Sequence, residues 1–112
     1  MAKIQLQDFV HYGKLFEIYG KLLSDDRQNI MTDYFQFNMT LAEIAKERNI
    51  SRQAVLDAID KSCQKLEKFE KLLQVGDKKE KLMCEVEQLL QLAKNLKQQE
   101  IIEKVEKIYK EI

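Results

Sequence analysis

The spacing of apolar residues divides the chain into stretches that are typical of amphipathic helices. In the stretch from about Gln5 to Leu22, apolar side chains recur every three or four residues, at Phe9, Tyr12, Phe16, Tyr19 and Leu23. This stripe predicts a first helix that ends near Gly20. Its aromatic rings could form a core or a platform on which nucleic-acid bases stack. A core is the favoured interpretation, because the rings share the face that needs burial.

A second helix is predicted from Ser24 to Gln36. Ser24 is a good N-cap, and Asp25 and Asp26 place negative charge near the positive end of the helix dipole. A short joint is expected at residues 37–39. The apolar residues of this helix are Ile30, Met31, Tyr34 and Phe35.

The segment from Thr40 to Ile59 has the pattern of a helix-turn-helix. Thr40 and Glu43 have the spacing of a capping box, which predicts the start of a helix. Asn49 follows where the chain needs a left-handed turn, and Asn tolerates positive φ better than most residues. Ser51 then caps a second helix. The expected apolar face of that helix carries Val55, Ala58 and Ile59.

Two small features refine this motif. Ala45 is expected where the two helices approach closely, and Ile50 is expected to point back into the core. In proteins that use such a motif on DNA, the second helix enters the major groove. The sequence therefore predicts the motif, and its use on DNA is a hypothesis.

The second helix of the motif is predicted to continue well beyond Ile59. A helix from Arg52 to about Leu73 would span roughly 33 Å at 1.5 Å per residue. That length exceeds what insertion into a groove requires, so its second half is expected to serve packing. Gly76 is the expected stop, and Asp77 is the expected cap of the next helix.

The C-terminal region repeats the helical spacing with one slip. The slip falls in the polar stretch 95–99, where two helices folded as a hairpin explain it better than one continuous rod. The apolar stripe is too wide to leave in water, so it is expected to cover the N-terminal helices, a second subunit, or both. A homodimer is therefore predicted. The stripe comprises Leu82, Val86, Leu89, Ala93, Leu96, Ile101, Val105, Ile108 and Ile112, with Leu90, Leu92 and Ile102 at its edges.

Composition supports an all-α protein with a modest core. The chain has 112 residues, 45% of them hydrophobic, with no Pro and three Gly. We predict a helix-turn-helix domain at residues 1–76 and a helical extension at residues 77–112 that serves packing or dimerisation. The two cysteines are too few for a disulfide framework. With no membrane span or signal peptide in the pattern, a cytoplasmic location is expected.

Charge gives little support to nucleic-acid binding. Lys plus Arg is 19 and Asp plus Glu is 19, and the balance holds on each side of Gly76. Strong nonspecific nucleic-acid binders usually carry a basic surplus, because contacts with phosphate dominate affinity. A basic patch would have to be assembled by the fold.

Catalytic chemistry is not indicated. The sequence has no Gly-rich phosphate loop, no Cys or His spacing for a metal, and no nucleophile beside a base. His11 is the only histidine, and a surface position explains it better than a metal site. We therefore expect no enzymatic activity, no catalytic residues, no metal and no cofactor.

The stretch Tyr12–Glu70 resembles the YlxM (p13-like) family of small bacterial proteins, above all at residues 22–25 and 49–55. The helix-turn-helix of that family is in turn similar to the sigma-factor region that reads the −35 promoter element. The resemblance implies a sigma region 4-like three-helix cluster with a long recognition helix and a C-terminal helical hairpin. It also implies a regulatory role linked to the signal recognition particle pathway, a role proposed for the family from gene neighbourhood.

Carried over by position, the resemblance places Ser51, Arg52 and Gln53 at the start of the recognition helix, facing bases or phosphates. Arg pairs well with guanine and Gln with adenine in the major groove. Leu56, Asp57 and Asp60 would occupy the next outward positions, where the two carboxylates repel phosphate. Four basic residues nearby could restore attraction: Lys46, Arg48, Lys61 and Lys65.

Three functional hypotheses remain open from the sequence. The first is a regulator that binds double-stranded DNA as a dimer. The second is an adaptor that uses its C-terminal helices to dock on protein or RNA components of the signal recognition particle machinery. The third treats the motif as a structural remnant in a dimeric scaffold, which the neutral charge keeps open.

Overall fold

The computed structural model describes residues 6–112, in which every regular element is a helix. Gln5, included in the predicted first helix, lies outside the described residues. The chain divides into two units, the first ending at Gln74 and the second running from Val75 to Ile112. The elements are α1 (Leu6–Tyr19), a 3₁₀ turn (Gly20–Leu22), α2 (Asp25–Phe35), α3 (Leu41–Arg48), α4 (Arg52–Leu73), α5 (Val75–Asn95) and α6 (Gln99–Glu111).

The predicted end of the first helix is confirmed at Gly20. A Cβ at this residue would lie 2.7 Å from Cε1 of Phe16, so the close packing of that ring requires glycine. The chain then passes through the 3₁₀ turn to Ser24, whose hydroxyl accepts the Arg27 N–H at 3.4 Å and starts α2 as predicted.

The core of the first unit lies where α4 packs against α1, α2 and α3. Side chains that are fully or almost fully excluded from solvent come from three of these helices: Met31, Ile44, Val55, Ile59 and Leu66. Ala45, predicted to lie where two helices approach closely, is buried in this core. Ser62 is also fully buried, and among residues 6–112 its hydroxyl has no hydrogen-bond partner.

Aromatic rings fill the contact between α1 and α2. The Phe9 ring lies 4.9 Å from that of Phe35 and 5.7 Å from that of Tyr34, measured between centroids. Phe16 and Tyr19 are buried in the same core. The interpretation of the α1 aromatics as core is confirmed for Phe16 and Tyr19, which are buried, and Phe9 and Tyr12 are half-buried.

Two polar contacts join α1 to the second half of α4. The His11 ring bonds the Glu67 carboxylate at the surface. The Tyr19 hydroxyl donates to Oε2 of Glu70 at 3.1 Å. Both acids of this part of α4 are therefore turned toward α1.

The predicted end of α4 at Leu73 is confirmed, but the predicted roles of Gly76 and Asp77 are wrong. Gln74 itself adopts the left-handed conformation (φ 55°, ψ 28°), and its N–H donates to the Glu70 carbonyl at 2.8 Å. With that turn made, α5 starts at the next residue and includes both Gly76 and Asp77. A single polar non-glycine residue can end a helix in this way.

The second unit is the predicted hairpin of α5 and α6. Lys97 takes a left-handed conformation (φ 56°), the Gln98 N–H donates to the Ala93 carbonyl at 3.1 Å, and α6 begins at Gln99. The Tyr109 hydroxyl donates to Oε1 of Glu87 at 2.9 Å and joins the two helices.

The hairpin buries only part of its apolar stripe. Its buried apolar residues are Val86, Ala93, Ile102 and Val105. At 3.6 residues per turn, the remaining large side chains fall on a neighbouring flank of each helix. Because the helices of a hairpin run antiparallel, these flanks share one side of it. The exposed residues are Leu82, Leu89, Leu92, Leu96, Ile101 and Ile108.

None of the helices in residues 6–112 combines the length and apolar character needed to cross a bilayer. Within the same residues, no group of three or more His, Cys, Asp or Glu side chains could hold a metal ion.

The two cysteines should differ sharply in reactivity. Cys84 is exposed, whereas burial raises the pKa of the Cys63 thiol to about 12, helped by the charges of Asp60 and Glu67. Because the thiolate is the reactive species, a disulfide reagent at pH 8 should modify one thiol rapidly in the native protein and two after denaturation. Cys84→Ser should abolish the rapid phase, and Cys63→Ser should leave it. Equal rates for both thiols in the native state would contradict this packing.

Candidate nucleic-acid interface

The predicted capping box at the start of α3 is confirmed. The Glu43 N–H donates to Oγ1 of Thr40 and the Thr40 N–H donates to Oε1 of Glu43, both at 3.1 Å. Hydrogen bonding of the Glu43 carboxylate to Thr40, first to its backbone N–H and then to its side chain, lowers the pKa of that carboxyl. The stabilisation is present above the ordinary carboxyl pKa and is lost as the pH falls through the lowered value.

The turn between α3 and α4 is formed at Asn49, as predicted. Asn49 has φ 55° and ψ 45°, in the left-handed region. Its N–H donates to the Lys46 carbonyl at 3.3 Å, and the Ile50 N–H donates to the Ala45 carbonyl at 3.0 Å. This pair of bonds is a Schellman motif, which ends α3 and redirects the chain.

Ile50 does not point into the core as predicted. Its side chain is 41% exposed. The Schellman motif fixes the backbone of this residue but leaves the side chain at the surface. An apolar group therefore lies beside the start of α4.

The first residues of α4 face solvent. Ser51 caps the helix by accepting the Ala54 N–H at 3.0 Å, and Arg52 and Gln53 are both exposed. The Gln53 amide donates to Oδ1 of Asp57 at 3.0 Å. The turn thus presents Ser51, Arg52 and Gln53 side by side at the surface.

The next turn of α4 is less open. Leu56 and Asp57 are half-buried, and Asp60 is exposed and accepts from the Gln64 amide at 3.3 Å. Leu56 therefore offers only part of its side chain to a partner. The two carboxylates outnumber the single cation, Arg52, between residues 51 and 60.

The two basic residues predicted on α3 lie in different environments. Lys46 is exposed. Arg48 instead donates from Nη2 and Nε to Oδ2 of Asp33, at 2.6 and 3.0 Å, and the Asp33 side chain is only 12% exposed. Arg48 therefore joins the end of α3 to α2, a role that the sequence alone did not reveal.

The second half of α4 carries basic residues that sequence reasoning used only in part. Lys61, Lys65, Lys68 and Lys71 are all exposed. Their spacing of four, three and three residues was the available signal, because it places them on neighbouring turns of one helix. Lys61 and Lys65 belong to the set predicted to aid phosphate binding, and the same spacing adds Lys68 and Lys71 to them.

Comparison with known proteins identifies the family. The family model described as "Putative helix-turn-helix protein, YlxM / p13 like" matches residues 6–111. The chain belongs to this family. Membership agrees with the helix-turn-helix formed by α3 and α4.

Similar proteins of the family come from several bacteria. A UPF0122 protein of Clostridium perfringens is 36% identical over 101 residues, covering 84% of this chain and 89% of its own. One from Bacillus mycoides is 32% identical over 108 residues, covering 92% and 98%. One from Fusobacterium nucleatum is 36% identical over 81 residues, covering 72% and 79%. The similarity thus includes both the motif and much of the hairpin.

The turn at Asn49 can be tested by two substitutions that should affect stability differently. Asn49→Ala should destabilise the protein by about 1 kcal/mol, because Ala meets the steric cost of positive φ without the local hydrogen bonding open to Asn. Asn49→Gly should be neutral or slightly stabilising. Urea unfolding measures both. Asn29→Ala, on an exposed turn of α2, is the matched control and should be nearly neutral.

A second test concerns Arg48. Arg48→Met should destabilise the fold by about 2 kcal/mol, because it leaves the Asp33 carboxylate buried without its partner. Lys46→Met, on the same helix but exposed, should change stability by less than about 0.5 kcal/mol. In a double-mutant cycle, Asp33→Asn should relieve part of the Arg48→Met loss. Full additivity of the two changes would contradict the ion pair.

Proposed function

We propose that this protein is a DNA-binding regulator that places the start of α4 in the major groove. The observation that carries the proposal is the exposed set of Ser51, Arg52 and Gln53 immediately after the Schellman turn. Membership in a helix-turn-helix family supports the same assignment. The proposed role is binding and not catalysis.

The chemistry of the three residues suits this role. The Arg52 guanidinium can donate two parallel hydrogen bonds to O6 and N7 of guanine, and the Gln53 amide can pair with adenine. The Ser51 oxygen accepts a backbone N–H, so its own O–H can donate to a phosphate. The bond from Gln53 to Asp57 holds the amide near this surface before binding.

The acidic turn that follows makes a single motif a weak binder. Asp57 and Asp60 repel phosphate, and a monomer has only one copy of the surface formed by Ser51, Arg52 and Gln53. We propose that a homodimer binds two half-sites, with the exposed apolar side of the α5–α6 hairpin in the subunit contact. Half-sites one helical turn apart, about 34–36 Å, would suit such a dimer.

A second candidate function is an adaptor for the signal recognition particle machinery. The observation that favours it is the same exposed apolar side of the hairpin, which could receive a protein component in place of a second copy. The carboxylates of Asp57 and Asp60 would then face a partner other than phosphate. In this alternative the motif serves as a scaffold.

Selection from a pool of genomic duplexes tests the regulator proposal. The wild-type chain should enrich particular sites at low salt, with paired half-sites if it binds as a dimer. Arg52→Ala/Gln53→Ala should lower the preference for enriched sites by about 10- to 100-fold, because bidentate contacts carry the discrimination.

The matched control removes the same charge elsewhere. Lys14→Ala/Asn29→Ala changes exposed residues of α1 and α2 outside the motif and should keep the selected sites. Failure of the wild-type chain to enrich any sequence would count against the regulator. Retention of the signal recognition particle or its receptor by the Arg52→Ala/Gln53→Ala variant would then favour the adaptor.

A further inference from the structure

The exposed charges of α4 are separated along the helix. Its first half, from Arg52 to Asp60, carries one cation and two carboxylates, whereas the exposed positions from Lys61 to Lys71 carry four lysines. The acids of this second stretch, Glu67 and Glu70, are half-buried and bonded to His11 and Tyr19 of α1. A protein of zero net charge therefore has a local basic stripe, defined here as Lys61, Lys65, Lys68 and Lys71.

The stripe is not neutralised by ion pairs. In the part of the chain that the structure describes, ion pairs join His11 to Glu67, Arg48 to Asp33 and Lys81 to Asp77, and none of these three includes a lysine of the stripe. The preceding carboxylates, Asp57 and Asp60, accept instead from glutamine amides. The positive field of the stripe is thus available to an anionic partner.

The arrangement is also unfavourable for the helix by itself. Lys61 and Lys65 are four residues apart, and the next two intervals are three residues, so each lysine has a like charge on the neighbouring turn. Like charges at this spacing destabilise a helix. The helix dipole favours only Lys71, which lies in the last turn, and leaves Lys61, Lys65 and Lys68 without that compensation.

We infer that this stripe binds the phosphate backbone of duplex DNA, beside the groove that receives the start of α4. The inference rests on the proposed DNA binding and adds the residues that hold the backbone. Ten residues separate Lys61 from Lys71, about 15 Å along the axis. One strand of a duplex carries a phosphate every 3.4 Å of duplex axis, so a stripe of this length can reach several phosphates. Contacts of a recognition helix's C-terminal end with the backbone are known in homeodomains.

A charge-matched pair of variants tests the stripe. The first replaces its lysines (K61Q/K65Q/K68Q/K71Q). The second removes four exposed lysines of the hairpin (K78Q/K79Q/K104Q/K107Q), so both change net charge equally. Circular dichroism confirms that each variant is folded. Binding to a random-sequence duplex and to a site enriched by the wild-type chain is measured by fluorescence anisotropy from 50 to 200 mM salt.

The stripe variant should bind both duplexes at least tenfold more weakly. The slope of log K against log salt should shrink by about 3 to 4, since each lost phosphate contact contributes about 0.9. The hairpin variant should change affinity less than about threefold. Unchanged affinity and slope in the stripe variant, or equal losses in the two variants, would overturn the inference.

The Arg52→Ala/Gln53→Ala variant separates this inference from the proposed function. If only this variant loses binding to the enriched site, sequence recognition by the start of α4 (the reading function) is supported and the stripe inference is wrong. If the stripe variant loses all duplex binding while the wild-type chain shows no sequence preference, the stripe inference stands and the reading function falls. Absence of wild-type duplex binding would overturn both. Equal or tighter stripe-dependent binding to the matching RNA duplex would overturn the assignment to DNA.

Discussion

The left-handed turn at Asn49 is the constraint on which the candidate interface depends. Two backbone hydrogen bonds close it, from Asn49 to Lys46 and from Ile50 to Ala45, so α3 cannot continue through it. Ser51 then starts α4 on a new axis, with Val55 and Ile59 in the core. Val55 and Ile59 fix the rotation of the helix, so Gln53 lies on the side away from the core. Arg52 is on the same side as Val55 but in the first turn of α4, where it is exposed. The same few residues therefore determine both how α4 packs in the core and which of its first residues are exposed.

Features governed by local chemistry could be predicted from the sequence. The caps at Thr40 and Ser51 and the turn at Asn49 depend on residues within one or two turns of helix, and the pattern identified all three. The hairpin could be predicted because its apolar spacing slips at residues 95–99. The roles predicted for Gly76 and Asp77 were wrong because Gln74 adopts positive φ, a choice that no residue preference would indicate.

Features created by tertiary contacts could not be predicted. Asp33 and Arg48 are 15 residues apart, and only the packing of α2 against α3 makes them a pair. Likewise, the second half of α4 contains both lysines and glutamates. Because Glu67 is turned toward His11, the exposed face defined by the lysine stripe is positively charged. Net charge is a poor guide to such a surface, because it counts residues without regard to the side of the helix that they occupy.

The buried hydroxyl of Ser62 has an evolutionary consequence. This side chain is small, fully buried and without a hydrogen-bond partner among the described residues. Its volume fits the core, but burial of its hydroxyl costs free energy that no hydrogen bond offsets. Selection on this site is therefore expected to act on volume, admitting alanine readily and excluding branched or longer side chains. Replacement of Ser62 by alanine should therefore raise the thermal stability of the first unit. Because Ser62 is distant from Arg52 in the sequence of α4, evolution could make this change without altering the exposed surface.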